Sequence, residues 1–230
     1  MKEDSQSQTK QKLLMAALPH VAFDGWSDVT FFAACEEVGI NQNKGLLFFP
    51  RGGIDLAIYF HICGDKEMVL QLKKTDLTEL RYRDKVAKAI KLRFQVIEDK
   101  EAVRRSSSLF SLPQNVLEGV RLTWSTADSI WRALGDHSDD INWYTKRTSL
   151  GLVYASCLLY WIGDDSVDHC KTWEFVDRRI ENVMHFEKIK AQTKENKLFQ
   201  RVFEFPIRLL GQVKAPKETS YGRDKSFRMK

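Results

Sequence analysis

The stretch NQNKGLLFFP, residues 41–50, decides how the first quarter of the chain folds. It reads as a short helix stopped by Pro50, which lacks a backbone N–H and clashes with the turn before it. Ahead of it, Ser27 reads as the cap of a helix that closes at Gly39, where glycine supplies the left-handed backbone that ends helices. Earlier still, Leu13, Leu14, Ala17, Leu18 and Val21 are spaced for one helical face within residues 9–23. Behind it, GGIDLAIYFHICGDKEMVLQLKK is a long helical segment with room for a kink at Gly64.

Working outward, the helical pattern continues. TDLTELRYRDKVAKAIKLRFQVI is a second long helical segment, and Pro113 stands at a first helical position. After it Val116, Val120, Trp124, Ala127, Trp131 and Leu134 recur every three or four residues up to Gly135. Ser138 or Asp139 can cap the next helix, which runs to about Trp161, and another spans about Ser166 to Lys190. No alternating strand pattern of any length and no internal repeat occurs. The expectation is an all-α chain of about nine or ten helices. It divides into a head at 1–75, a larger helical part at 76–193, and an amphipathic helix with a basic tail at 194–230.

A helix, a helix ending at Gly39, a short helix and a long one resemble the TetR-type DNA-binding head. A helix-turn-helix reader is therefore one hypothesis, and charge argues against it. From Asp24 to Phe60, Lys44 and Arg51 face five acids (Asp24, Asp28, Glu36, Glu37, Asp55), a net −3. That repels the phosphates that supply most nonspecific affinity for DNA. Only Gln42, Asn43 and Lys44 are offered to base edges. The basic excess lies elsewhere: Lys214, Lys217, Arg223, Lys225, Arg228 and Lys230 against Glu218 and Asp224 give the last 17 residues +4, within +5 for the chain.

With 230 residues and 43% hydrophobic content, a sizeable core can form. The four cysteines make no C-x-x-C pair and suit a reducing compartment. No 18-residue uncharged apolar run suggests a membrane-spanning helix, and MKEDSQSQTKQKLL has the features of neither a secretory signal nor a transit peptide. A cytoplasmic chain of bacterial type is the expectation. None of the five histidines has a Glu three residues before it, and nucleotide-binding and hydrolase motifs are missing, so no catalytic residue, cofactor or metal is assigned. His169 and Cys170 beside Asp164, Asp165 and Asp168 read as a polar helix-start loop rather than a metal cluster.

In NKLFQRVFEFPIRLLGQV, residues 196–213, the apolar Leu198, Phe199, Val202, Phe203, Leu209 and Leu210 share a face, with Lys197, Arg201, Glu204 and Arg208 opposite. Such a helix either docks on the protein's own core or lies in a membrane interface beside the basic tail. DINWYTKR, residues 140–147, raises a different question, because adjacent Trp143 and Tyr144 cannot both sit centrally on a narrow core-facing stripe. One ring turning inward and the other staying at the surface, rimmed by Asp140, Lys146 and Arg147, would make an interface anchor; the alternative is that both pack at the helix end. Beyond them the helix to Trp161 is apolar over much of its circumference. Leu150, Tyr154, Leu158 and Trp161, with Trp124 and Trp131 on the preceding helix, either fill a core or line a cavity.

LPHVAFDGWSD, LLFFPRG, RDKVAKAIKLR, GDHSDDINWYTKRTSLGLVYASCLLYW and TWEFVDRRIENVM stand in order between about residues 18 and 185. Together they resemble the ubiquinone-biosynthesis accessory family, the ninth Coq protein. The resemblance implies a TetR-like fold without DNA recognition. It also implies a buried pocket for an isoprenoid quinone intermediate or a phospholipid, assigned here to Trp124, Trp131, Leu150, Tyr154, Leu158 and Trp161. It further implies a membrane-binding helix, here Leu198, Phe199, Val202, Phe203, Leu209 and Leu210, and a noncatalytic role peripheral to the inner membrane. The partner it implies is the di-iron demethoxyubiquinone hydroxylase, met by Asp140, Trp143, Tyr144 and Arg147. A TetR-type lipid-responsive regulator is the alternative reading, and a homodimer is left open.

Overall fold

The computed structural model describes residues 2–97 and 99–194, with side chains described for 5–97 and 99–183. Among these residues the chain is all-α, with nine α-helices and no strand: α1 (Lys2–Asp24), α2 (Asp28–Val38), α3 (Gln42–Phe48), α4 (Gly53–Lys74), α5 (Tyr82–Gln95), α6 (Lys100–Ser111), α7 (Val116–Ala133), α8 (Ile141–Ile162) and α9 (Cys170–Lys194). The residues proposed for membrane contact, Leu198 to Leu210, lie outside the described part.

The head follows its punctuation. Ser27 caps α2 by accepting from the Thr30 amide, and Gly39 closes it at φ 71°, its N–H and that of Ile40 reaching back to the last carbonyls. α3 ends at Phe48, two residues before Pro50. α1, α2 and the start of α4 enclose a core of Leu13, Leu14, Ala17, Val21, Trp26, Phe31 and Leu56, into which Ala102 of α6 also packs. Trp26 donates its indole N–H to the Ala102 carbonyl at 3.0 Å.

A second core, among α4, α5, α7, α8 and α9, is built on Met68, Leu72, Ile90, Phe94, Ile130, Leu150, Tyr154, Trp161 and Val176. α4 serves both cores, Leu56 and Ala57 in one and Met68 and Leu72 in the other. A boundary at residue 75 therefore falls just after a strut that the two halves share.

Five local expectations change. α4 runs without a break through Gly64, whose missing Cβ makes room for a side chain from α5: a Cβ there would lie 2.7 Å from Arg93 Nη1. Residues 75–81 are not helical, because Asp76 takes the amide and hydroxyl of Thr78 in a turn, so α5 begins only at Tyr82. Pro113 sits in a turn, and α7 starts three residues later behind Asn115. The cap of α8 is Asp140, which accepts from the Asn142 amide, rather than Ser138 or Asp139. α6, capped by Asp99, occupies a stretch to which the sequence pattern assigns no element. The Asp164–Cys170 segment is a helix start: the Asp164 carboxylate accepts from the Ser166 amide and from the amide and hydroxyl of Thr172. Burial pushes that carboxyl up, but these hydrogen bonds outweigh it and hold it well below the ordinary carboxylate range.

Candidate functional site

α6 presents Val103, Ser106, Ser107 and Phe110 on one face, the spacing of a helix that meets others along a single side. Opposite stand Val116, Val120, Thr123 and Trp124 of α7 and Gly151, Leu152, Ala155, Leu158 and Leu159 of α8. Small residues at Ser106, Ser107, Gly151 and Ala155 leave these three helices short of filling the space between them. The result is a cavity of about 410 Å³ with a predominantly apolar lining, within the size range of small-ligand pockets.

The cavity has two unlike ends. At its mouth Val120, Leu152 and Leu159 are 61%, 68% and 67% exposed. At its inner end His61 of α4, Arg93 of α5 and Tyr154 of α8 supply polar atoms. Arg93 donates through Nε to Asp65 at 2.6 Å and through Nη2 to the His61 carbonyl at 3.1 Å. Thr126 donates to Asp65, and His61 Nε2 lies 2.8 Å from the Thr126 hydroxyl oxygen. Burial pushes His61 down to about 4, with Arg93 adding to the shift and Asp65 opposing it. Burial also raises the Tyr154 phenol. At neutral pH the inner end is thus a neutral imidazole, a phenol and a compensated ion pair.

Of the residues assigned to the pocket, Trp124, Tyr154 and Leu158 line it. Trp131, Leu150 and Trp161 do not. Trp131 stacks on Tyr82 at 5.7 Å and donates to the Lys146 carbonyl, Trp161 stacks on Phe94 at 5.4 Å, and Leu150 is buried in the second core. Sequence pattern missed the α6 wall and the His61–Asp65–Arg93–Thr126 cluster. The available signal was His61 and Asp65 at i, i+4 in an apolar stretch of α4, where charge has to be matched from outside.

Beside the cavity, Trp143 and Tyr144 meet edge to face at 4.8 Å, and Trp124, itself part of the cavity wall, touches both, at 5.8 and 6.4 Å. Both rings are half-buried, so the division into one inward and one outward ring does not occur. Tyr144 also lines an open groove of about 640 Å³ between α8 and α9, with Thr145, Ser149, Leu152 and Val153. Arg147 is not a rim residue. It is 1% exposed, pairs with Asp128 at 2.6 Å and Asp136 at 3.1 Å, and its guanidinium lies 4.1 Å from the Trp143 ring centroid. Two carboxylates and an aromatic face satisfy it inside the fold. Burial pushes the Asp136 carboxyl up, and hydrogen bonds from Lys146, Ser138 and Arg147 override that to hold it below its usual value. Asp140 is spent on capping α8.

A TetR-like bundle of helices with an apolar cavity in its larger half is the class these features define. The structure superposes on the TetR transcriptional regulator from Nitrosomonas europaea ATCC 19718 with a TM-score of 0.62 and 14% identity, over 75% of this chain and 95% of that one, a likeness of fold. Residues 116–187, from α7 through most of α9, match the COQ9 family model. It is 31% identical over 195 residues to the Dictyostelium discoideum protein named "Probable ubiquinone biosynthesis protein coq9, mitochondrial", covering 81% of this chain and 63% of that protein. It is 28% and 26% identical to the proteins named "Ubiquinone biosynthesis protein COQ9, mitochondrial" of Rattus norvegicus and Homo sapiens, covering 83% of this chain and 64% and 62% of theirs. The chain thus spans a little under two thirds of the length of these relatives. Among the described residues no single helix is long and apolar enough to cross a membrane.

Proposed function

We propose that this protein is a noncatalytic lipid-binding accessory of ubiquinone biosynthesis. It takes an isoprenoid quinone intermediate or a phospholipid into the cavity at a membrane surface and presents its cargo to the di-iron demethoxyubiquinone hydroxylase. The observation that carries this reading is the apolar cavity of about 410 Å³ whose mouth is ringed by exposed Val120, Leu152 and Leu159. A polyprenyl chain is barely soluble, and a protein whose greasy doorway rests on the bilayer lets it move without crossing water. The Trp143–Tyr144 cluster, half-buried beside the same wall, is the surface for the hydroxylase. The segment holding Leu198, Phe199, Val202, Phe203, Leu209 and Leu210 adds membrane contact. The relatives' names place them in mitochondria. We place this chain peripherally on the membrane that carries its quinone, on the cytoplasmic face if the cell is bacterial. No metal, cofactor or nucleic acid takes part.

Mass spectrometry under native conditions, on protein purified without added lipid, is expected to find a polyprenyl quinone or a phospholipid bound. Nanomolar binding to one DNA duplex in the presence of random competitor, with no lipid found, would overturn this in favour of a TetR-type lipid-responsive regulator. Changing Trp143 and Tyr144 together to Ser should weaken capture of the hydroxylase while bound lipid is retained. Undiminished capture by the folded double variant would remove the aromatic cluster from the proposal.

A further inference from the structure

The groove of about 640 Å³ between α8 and α9 is filled by no part of the described chain. Its α8 wall bears Thr145, Ser149 and Ser156, whose hydroxyls donate to the carbonyls of Asn142, Thr145 and Val153 within the same helix. With those donors spent, the wall meets an incoming group mainly through carbon, together with Leu152, Val153 and Val183. The only charged residue on the lining is Arg179, whose guanidinium lies 5.1 Å from the Phe175 ring centroid. Such a groove suits apolar side chains carried on a helix better than a charged ligand. It also joins two features of the candidate site. Thr148 and Leu152 line both the groove and the cavity, and Tyr144 belongs to the groove and to the aromatic cluster. Whatever fills the groove covers one side of the cavity mouth and the Tyr144 edge of that cluster together.

α9 supplies the other wall and leads to the occupant. From Val183 it runs on to Lys194, about 16 Å of helix, and residues 195–213 follow directly. A chain that turns back after Lys194 covers about the same 16 Å from Leu198 to Leu209 when helical, which sets Leu209 and Leu210 beside Val183. We infer that the apolar face of residues 196–213, Leu209 and Leu210 foremost, seats in the α8–α9 groove of its own chain when no bilayer is present, and that a membrane draws it out. This rests on the membrane role proposed for the segment and adds its resting place. The bilayer is the stronger seat, because it buries the whole face and attracts Lys197, Arg201, Arg208 and the basic tail, to which the groove offers only the cation Arg179. Lipid entry and hydroxylase contact are thereby tied to arrival at a membrane: away from it Leu152 and Tyr144 are covered, and on it both are free.

Maleimide labelling of the full-length protein, resolved by peptide mass, tests the seat. Asn182→Cys places a thiol on the groove wall, Glu181→Cys places one on the α5–α9 side, and exposed Cys170 is the internal reference. Without vesicles the thiol at 182 should react about tenfold more slowly than in the same protein carrying Leu209→Glu and Leu210→Glu, as for a seat filled about nine-tenths of the time. The thiol at 181 should react equally in both. Vesicles of phosphatidylcholine and phosphatidylglycerol should abolish the protection. Equal labelling at 182 in the two proteins, or protection that persists while the protein cosediments with vesicles, overturns the inference. Protection that disappears on dilution places the segment in a second copy and overturns the intramolecular seat. Protection without any cosedimentation leaves the seat standing and overturns the membrane role, and with it the release.

Discussion

The head and the larger half are made from the same helices-on-helices packing, and small residues do opposite things in them. In the head, Gly45 and Gly53 let α2, α3 and α4 close up completely. A Cβ on Gly45 would lie 2.5 Å from Cys35 Sγ, and one on Gly53 would lie 2.5 Å from the Ser27 carbonyl oxygen. Trp26, Phe31 and Phe49 fill what remains. In the larger half, Ser106, Ser107, Gly151 and Ala155 sit where three helices diverge, and the volume they give up stays open as the cavity. The space is therefore written into particular positions of α6 and α8 and is not looseness of the fold. Charge divides the halves in the same way. The head keeps its ion pairs at the surface, such as Arg51 with Asp55, whereas the larger half buries Arg93 with Asp65 and Arg147 with Asp136.

The largest expected difference lies in those ion pairs. Arg147→Met strips one partner from two carboxylates, of which Asp136 is 3% exposed at the side chain. Lys146 and Arg132 still compensate part of the charge, so the loss should be about 3 kcal/mol, or roughly 10 °C in melting temperature. The matching change in the head, Arg51→Met at a half-exposed pair, should cost under about 1 kcal/mol. Thermal melts of the two variants make the comparison, and equal losses would mean that burial does not set the value of these pairs.

Acid should act next, and through the larger half. His61 sits at about 4 when folded against an ordinary 6.5. Below pH 6.5 the unfolded chain therefore binds a proton that the folded protein refuses. The stabilisation from keeping His61 neutral is complete above about pH 6.5 and is lost progressively as pH falls towards 4. Asp136 acts in a separate window, since a carboxylate held below its ordinary 3.8 loses its contribution only at lower pH. His61→Gln should flatten the dependence of urea-unfolding midpoints on pH between 6.5 and 4. An unchanged slope would show that the imidazole is already protonated in the fold.

Side-chain volume should be tolerated in one half and not in the other. Gly45→Leu drives atoms into Cys35 and Phe31 and should cost about 1–3 kcal/mol or more. Ser107→Leu points a leucine side chain into open space and should leave stability within about 1 kcal/mol while displacing bound lipid. A strongly destabilised Ser107→Leu protein would mean that the cavity closes in solution.

Where punctuation was local, the sequence was readable. Ser27, Gly39 and Pro50 act on the residues beside them, which is why the head could be drawn nearly helix by helix. α7 and α8 were readable because their apolar residues recur. α6 was not, since Arg104, Arg105 and its serines dilute the pattern that its packed face carries. The site was half legible for a related reason. α8 is apolar on most sides, so sequence alone could not tell Leu158, on the cavity wall, from Leu150, in the core. Arg147 looked like a surface cation because its partners, Asp128 and Asp136, lie 19 and 11 residues away and reach it only through the α7–α8 packing. The His61–Asp65–Arg93 cluster likewise needs α4 and α5 side by side.

The smallest effect on stability should carry the clearest statement about which half meets lipid. Leu47 on α3 is 82% exposed and Leu152 on α8 is 68% exposed, so both are large apolar groups facing water. Replacing either with Ser removes few packing contacts, and each change should alter stability by no more than about 0.5 kcal/mol. Their surroundings differ: Leu152 stands at the cavity mouth with Val120 and Leu159, whereas Leu47 extends from a seven-residue helix within the stretch 24–60, which carries a net −3. On anionic vesicles the acidic stretch around Leu47 should be repelled, and the apolar mouth should be drawn into the interface, each fully buried leucine contributing about 1.5–3 kcal/mol. Leu152→Ser with Leu159→Ser should therefore lower cosedimentation with vesicles several-fold, while Leu47→Ser should leave it unchanged. A loss confined to Leu47→Ser would turn the protein over on the membrane, put the cavity mouth in water, and remove the route by which a lipid enters it.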